Sequence, residues 1–173
     1  VGWVLGPAAD PVPRRGCVVA DSRVYVGAWW DPEIWSRARA AYMYDLDNHP
    51  GVPAGFIQWL HWVIELHLNR GVAGRASLQL QPRRELAARS DPEHPEKVAG
   101  LTRHHLLRSD LLKDLDHAIE ADRQAQQYRT RSTWLHDAVV MAISDAEQRA
   151  GGQLPEIPDG VRLPNQPTKT GNR

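Results

Sequence analysis

The residues best suited to binding chemistry stand together in the run "YRTRSTW", residues 128–134. Two arginines alternate with two hydroxyl residues where an amphipathic helix begins: Arg129, Thr130, Arg131 and Ser132. The first turn of a helix leaves backbone N–H groups without partners, and a hydroxyl before it can cap one of them. Free amides beside positive charge favour an anion. The run predicts an anion-binding helix N-terminus; the alternative is an ordinary capped helix with solvated arginines.

The charge and composition of the whole chain limit the functions that such a site could have. Lys and Arg together number 21, as do Asp and Glu, so an anion-binding surface has to be local. The single cysteine, Cys17, excludes an internal disulfide, fits a reducing cytoplasm and is expected to be an inert thiol. No apolar run approaches the about 20 residues that span a bilayer, and the first residues lack a signal-peptide pattern. We expect a cytoplasmic protein with no membrane partner.

The segment "RVYVGAWW" predicts a half-buried strand, because apolar and other side chains alternate with a period of two. One side of the strand carries Val24, Val26, Ala28 and Trp30. The opposite side carries Arg23, Tyr25, Gly27 and Trp29.

Two helices should follow this strand. Asp31 suits a helix N-cap and Pro32 the first helical position, so "DPEIWSRARAAYMYDL" predicts a helix. A second helix is expected over residues 54–69, where Arg70-Gly71 suggests its end. The apolar stripes place Trp30, Trp35 and Trp134 in the core. For Trp59 and Trp62, core burial and an interface between units or chains remain alternatives.

The second half repeats this order. Residues 71–100 read as a linker in which one helical turn is expected near Glu85, after which "TRHHLL" predicts a short strand. A helix capped by Ser109 or Asp110 comes next, and the helix after "RTRS" is the last. Residues 1–20 form a flexible lead-in. The Pro/Gly-rich residues 152–173 form a flexible tail with no core of its own.

The predicted fold is mainly α with a short antiparallel β-ribbon, built from strand–helix–helix units at residues 21–70 and 101–151. A lone strand cannot satisfy its ladder hydrogen bonds, so the two strands should pair with four helices around them. The pairing could occur within one chain, giving a pseudo-dimer, or between two chains of a homodimer.

This order, with a second helix that begins at "RTRS", resembles the ribbon-helix-helix fold of the MetJ/Arc/CopG class in tandem. The likeness covers residues 23–70 and 102–151. The C-terminal half, with "VRLPNQP", resembles the ribbon-helix-helix centromere-binding ParB-type proteins of actinobacterial plasmids. The resemblance implies that outward strand side chains read DNA base edges while the start of the second helix holds a phosphate.

Carried onto this chain, the resemblance assigns base reading to Arg23, Tyr25, Gly27 and Trp29. Gly27 itself has no side chain with which to read. In the second strand the register decides between Arg103 and His104. The phosphate clamp would comprise Arg129, Thr130, Arg131 and Ser132.

The function so implied is sequence-specific binding of double-stranded DNA, without enzyme activity or cofactor. The task would be plasmid partition with a partner ATPase, transcriptional autoregulation, or both. A relaxosome accessory factor or an antitoxin of the same fold is an alternative, and so is a helical protein–protein interaction module. His61 and Glu65, with His67 nearby, could hold a metal, but without an HExxH pattern or a cysteine cluster we expect none.

Overall fold

The computed structural model describes residues 22–166, which are mainly helical with one two-stranded antiparallel sheet. This confirms the predicted class at that level. The elements in chain order are β1 (Arg23–Trp30), α1 (Pro32–Asn48), α2 (Phe56–Asn69), α3 (Gly71–Ala76), β2 (Leu101–Arg108), α4 (Ser109–Gln124) and α5 (Arg131–Ala150).

The two strands pair with each other inside one chain. Arg23 lies opposite Arg108 and Trp30 lies opposite Leu101. Because side chains alternate across a strand, this register gives the sheet one inner and one outer face. The same register decides which side chains of β2 point outward, since His105 is buried and its neighbour His104 is exposed.

All the core residues of the sheet point to the side where the helices lie. Val26, Ala28 and Trp30 of β1 and His105 and Leu107 of β2 are buried there. α1 packs mainly on α5, and α2 packs on α4 and α5, so the helices of the two halves share one core. The largest fully buried side chains include Trp30, Trp59, Trp134, Tyr42, Leu60, Ile64, Leu111, Leu115, Leu135 and Ile143.

The tryptophan alternatives are resolved by burial. Trp59 is fully buried, and its indole Nε1 donates a hydrogen bond to Asp45 Oδ2 at 2.9 Å. Trp62 is only partly buried and lies edge-on to the His49 ring. Trp59 is therefore a core residue, whereas Trp62 lies at the edge of the core.

One predicted helix cap is confirmed and another is corrected. Asp31 Oδ1 accepts a hydrogen bond from the Glu33 amide at 2.9 Å, and Pro32 is the first residue of α1. For α4 the cap position falls on Arg108, without a side-chain cap, rather than on Ser109 or Asp110. The strand runs directly into this helix, so Ser109 is already helical, and its hydroxyl bonds the hydroxyl of Ser22.

Residues 77–100 form a strap across the helices, although they were predicted as a linker. The helical turn expected near Glu85 is absent there; instead α3 follows α2 directly, with Gly71 at a φ of 65°. Arg84 Nε donates to Asp31 Oδ2 at 2.7 Å, and Arg83 pairs with Asp137 at 2.7 Å. The strap is held because its arginines reach carboxylates on the helical elements, which periodicity does not reveal.

The tail also differs from its prediction over the described residues. Residues 153–166 run along α1, where the Ser36 hydroxyl donates to the Ile157 carbonyl at 2.9 Å. Arg39 and the Tyr42 hydroxyl bond the carbonyls of Val161 and Pro164. Leu154 enters the core. The tail has no core of its own but packs along α1. The predicted lead-in, residues 1–20, lies outside the described residues.

Within residues 22–166, no helix combines the length and the apolar character needed to cross a membrane.

Candidate functional site

The outer face of the two-stranded sheet is the surface on which five of the ten predicted site residues meet. Arg23, Gly27, Thr102 and His104 are exposed on it. Tyr25 is the most open, with 74% of its surface accessible, and Trp29 retains 38%. No helix of residues 22–166 covers this face, since its side chains are exposed while those of the opposite face are buried against the helices. The four residues proposed from β1 are thus brought together as one surface.

The two arginines at one end of this face differ in their ion pairing. Arg23 and Arg108 are cross-strand neighbours. Arg108 binds Glu65 at 2.7 Å and Asp110 at 3.3 Å, so its charge is already compensated. In the part of the chain that is described, Arg23 has no carboxylate within ion-pair distance. Among residues 22–166, no carboxylate therefore competes with an external acceptor for its guanidinium.

The middle of the face is made by Gly27 and His104, which lie opposite each other. A Cβ atom added at Gly27 would stand 3.4 Å from His104 Nε2. The glycine cannot read a base, but its missing side chain makes room for the imidazole. Similarly, the Trp29 ring lies against Gly100, where an added Cβ would come within 2.3 Å of the ring.

Arg103 lies on the inner face, so of the two β2 residues left open only His104 points outward. The Arg103 guanidinium lies 5.9 Å from the centre of the Trp35 ring and pairs with Asp159. The strict alternation of the strand decides this, because His105 and Leu107 share the inner face with Arg103. The assignment of Arg103 to base reading does not agree with this orientation.

The first turn of α5 lies beside the Trp29 end of the sheet. The Thr130 hydroxyl caps the helix by accepting from the Thr133 amide at 3.2 Å, and Ser132 Oγ accepts from the Trp29 amide at 3.4 Å. Arg131 is exposed and pairs with Asp116 at 2.9 Å. Such an exposed pair is worth only about 0–1 kcal/mol, so Arg131 can exchange this partner for another anion.

Arg129 has a different role from the predicted one. Its Nε donates to Asp137 Oδ2 at 2.9 Å, and its Nη1 lies 3.5 Å from Asp122 Oδ2. Asp122 is fully buried and binds Arg75 at 2.6 Å. The anions that Arg129 binds are thus carboxylates of the protein. The resemblance assigned Arg129 to the phosphate clamp, but its side chain, one residue before the cap, turns inward to these carboxylates.

Asp137 connects this network to the strap. It accepts from both Arg129 and Arg83. Burial by itself would raise the pKa of Asp137, but hydrogen bonds from His136 and Arg83, and one from Arg129, lower it to about 2. Asp137 is therefore ionised at neutral pH and holds the start of α5 to the strap.

A second candidate site, which sequence reasoning missed, is a cleft of about 770 Å³ between α1, α5 and the strap. It was missed because residues 71–100 were taken for a linker. Its apolar lining includes Ile34, Leu78, Leu80, Val140 and Met141. The arginines that line it are paired, as Arg37 is with Glu147 at 2.8 Å. The signal available in the sequence was the apolar pair in "SLQL", residues 77–80.

The histidine and glutamate considered as metal ligands have other partners. His61 Nε2 lies 3.3 Å from the Leu106 carbonyl oxygen, and Glu65 binds Arg108. Among the described residues, no group of three His, Cys, Asp or Glu side chains is placed to hold a metal ion.

Comparison of the chain with models of protein families, with curated proteins and with solved structures returned no match.

Proposed function

We propose that this protein binds double-stranded DNA by inserting the outer face of its sheet into the major groove, in the manner of a tandem ribbon-helix-helix protein. The observation that carries the proposal is that β1 and β2 pair within one chain and that no helix of residues 22–166 covers their outer face. A two-stranded ribbon fits the B-DNA major groove, which is about 12 Å wide. Eight residues in each strand span about 24 Å, less than one helical turn of DNA.

The side chains on this face have the chemistry to read base edges. The guanidinium of Arg23, which has no carboxylate partner among residues 22–166, can bond guanine O6 and N7 together. Thr102 and His104 each offer both a donor and an acceptor, according to the His104 tautomer. Tyr25 presents an exposed ring and a hydroxyl. In this proposal Trp29 contributes packing at the rim of the groove rather than a hydrogen bond.

Phosphate contact would come from the start of α5. Arg131 is exposed and its partner Asp116 is replaceable, while Thr130 and Ser132 keep the helix end beside the ribbon. Arg129 supports this helix end from inside and is not itself a phosphate ligand in the proposal. The role in the cell would be plasmid partition, autoregulation of transcription, or both.

The test is fluorescence anisotropy of the full chain with duplexes from its own upstream region and with random duplex, over a range of salt. We expect tight, salt-sensitive binding to one fragment. Arg131→Ala should weaken binding to all sequences and reduce the slope of log K against log salt by about 0.9, the value for one phosphate contact. Arg23→Ala should instead cost about 1–3 kcal/mol on the preferred fragment alone.

Arg123→Ala is the matched control for both variants. Arg123 is exposed and pairs with Glu120 near the C-terminal end of α4, about 20 Å along that helix from the sheet. The Arg123→Ala substitution removes the same charge without changing the proposed interface. Equal binding by all three variants and the unchanged protein would refute the assignment of these residues. No binding to any duplex at low salt would refute the DNA-binding proposal.

A protein–protein interaction module is the second candidate. Arg108 on the outer face and Arg131 at the start of α5 are already neutralised by carboxylates, which reduces the attraction for a polyanion. If DNA binding fails, the exposed Tyr25 and Trp29 become candidates for contact with a protein.

For the partition role, the chain must also stimulate hydrolysis by the partner ATPase, and an unchanged hydrolysis rate would exclude that role alone.

A further inference from the structure

We infer that one chain binds one non-palindromic DNA site, in a single orientation. The inference rests on the proposed DNA-binding function and names the kind of site that the outer face would accept. It follows from the register of the sheet, the identity of its outward side chains and the unequal ends of two helices.

The register locates an approximate twofold axis. Trp30 and Leu107 each stand two residues before a helix, so they hold equivalent places in the two strand–helix–helix runs. Gly27 and His104 each stand three residues earlier, and they lie opposite each other in the sheet. The axis that would relate the two runs therefore passes between Gly27 and His104. It coincides with the middle of the outer face.

The two ends of the outer face are chemically different about this axis. Tyr25 takes the place equivalent to Thr102, and Trp29 the place equivalent to Leu106. One end thus carries two guanidiniums and a phenol, whereas the other carries a hydroxyl and an indole. A palindromic duplex offers identical base edges to both ends, and the two sets of side chains cannot bond them alike. The centre of the outer face is asymmetric as well, because His104 has a side chain there and the opposite residue, Gly27, has none.

The helix ends beside the ribbon are also unequal. The start of α5 has a side-chain cap from Thr130 and the exposed Arg131. The corresponding start of α2 has no side-chain cap, and the Gly55 amide already donates to the Tyr42 hydroxyl at 2.8 Å. Pro53 just before it has no amide hydrogen. Backbone contact would therefore be stronger at the Trp29 end, which sets one orientation on the duplex.

The experiment is a selection of tight-binding duplexes from a randomised pool by the full chain. Native mass spectrometry then counts the chains on the selected duplex. Two palindromes, made by doubling either half of the selected site, are compared with it by anisotropy. We expect an asymmetric consensus, one chain per duplex, and affinities for both palindromes at least about tenfold weaker, because each palindrome loses base contacts of one end.

Substitutions at the two ends of the outer face test which end contacts which half of the DNA site. Arg23→Ala should relax the selected sequence in one half of the site, and Thr102→Val should relax it in the other half. The distant control Arg123→Ala should change neither. A palindromic consensus bound by two chains, or palindromes bound as tightly as the selected site, would overturn the inference while DNA binding stands. Failure to enrich any duplex at low salt would refute the proposed function itself, and this inference with it.

Discussion

At the scale of single residues, Asp122 is the most sensitive position in the buried polar network. It is fully buried and bonds both Nε and Nη2 of Arg75, whose side chain is only 3% exposed. Arg129 approaches the same carboxylate. Removing one partner of a buried pair leaves a charge in a medium that solvates it poorly, which is more costly than losing the attraction alone.

We therefore expect Asp122→Ala to lower the free energy of unfolding by about 3–5 kcal/mol at neutral pH. Urea unfolding followed by circular dichroism measures this loss. The control is Asp116→Ala, which removes the same group from an exposed pair with Arg131 and should cost less than about 1 kcal/mol. Equal losses for the two variants would mean that the Arg75–Asp122 pair is solvated after all.

At the scale of elements, α5 is the helix that connects the core to the proposed interface. Its buried stripe includes Trp134, Leu135, Ala138 and Val139, while its first turn touches the Trp29 end of the sheet. Gly151 ends it with a φ of 77°, a conformation that glycine adopts without steric cost. The cap at Thr130 consequently acts on both the stability of the helix and the position of its first amides.

Thr130→Ala should destabilise the protein by about 1 kcal/mol, because the Thr133 amide loses its acceptor. Thr130→Ser keeps the hydroxyl and should retain most of the stability. Thermal unfolding of the three proteins under one buffer condition gives the comparison. If the serine variant lost as much stability as the alanine variant, the methyl group of Thr130 rather than its hydroxyl would be responsible.

At the scale of the whole molecule, two buried histidines connect folding stability to pH. His67 lies edge-on to Trp134 with ring centres 4.6 Å apart, and burial, followed by the charges of Arg75 and Arg70, lowers its pKa to about 4. His105 accepts from Trp30 Nε1 at 3.0 Å. Burial, followed by His104 and Arg103, lowers the pKa of His105 to about 4 as well.

Because a histidine in the unfolded chain has a pKa of about 6.5, the unfolded state binds more protons between pH 6.5 and pH 4. Stability should be complete above about pH 6.5 and fall as the pH decreases to about 4, by up to about 3 kcal/mol for each histidine. Urea unfolding at a series of pH values measures this slope. His67→Leu should flatten it, whereas His117→Gln, at an exposed position, should not. A slope that His67→Leu leaves unchanged would contradict the argument.

The sequence by itself predicted both strands and four of the five helices of residues 22–166, but neither α3 nor the register of β2. The period of two in "RVYVGAWW" placed Val26, Ala28 and Trp30 on the buried side of β1, although Val24 on the same side is 41% exposed. Asp31-Pro32 located the start of α1. The hydroxyl and glycine signals bounded α5 at Thr130 and Gly151. These features could be predicted because each depends on local backbone geometry and on the periodicity of apolar residues, both of which act over a few neighbouring positions.

The tertiary structure alone decided which charged groups remain free. Pairing of β1 with β2 turned His104 outward and Arg103 inward. Folding also brought Arg129 to Asp122 and Asp137, whereas no carboxylate of residues 22–166 lies within ion-pair distance of Arg23. The strap and the residues along α1 acquired their places in the same way, through partners distant in the chain. These contacts of the strap and of the tail join groups that lie 53 to 121 positions apart in the chain, and no local pattern encodes their meeting.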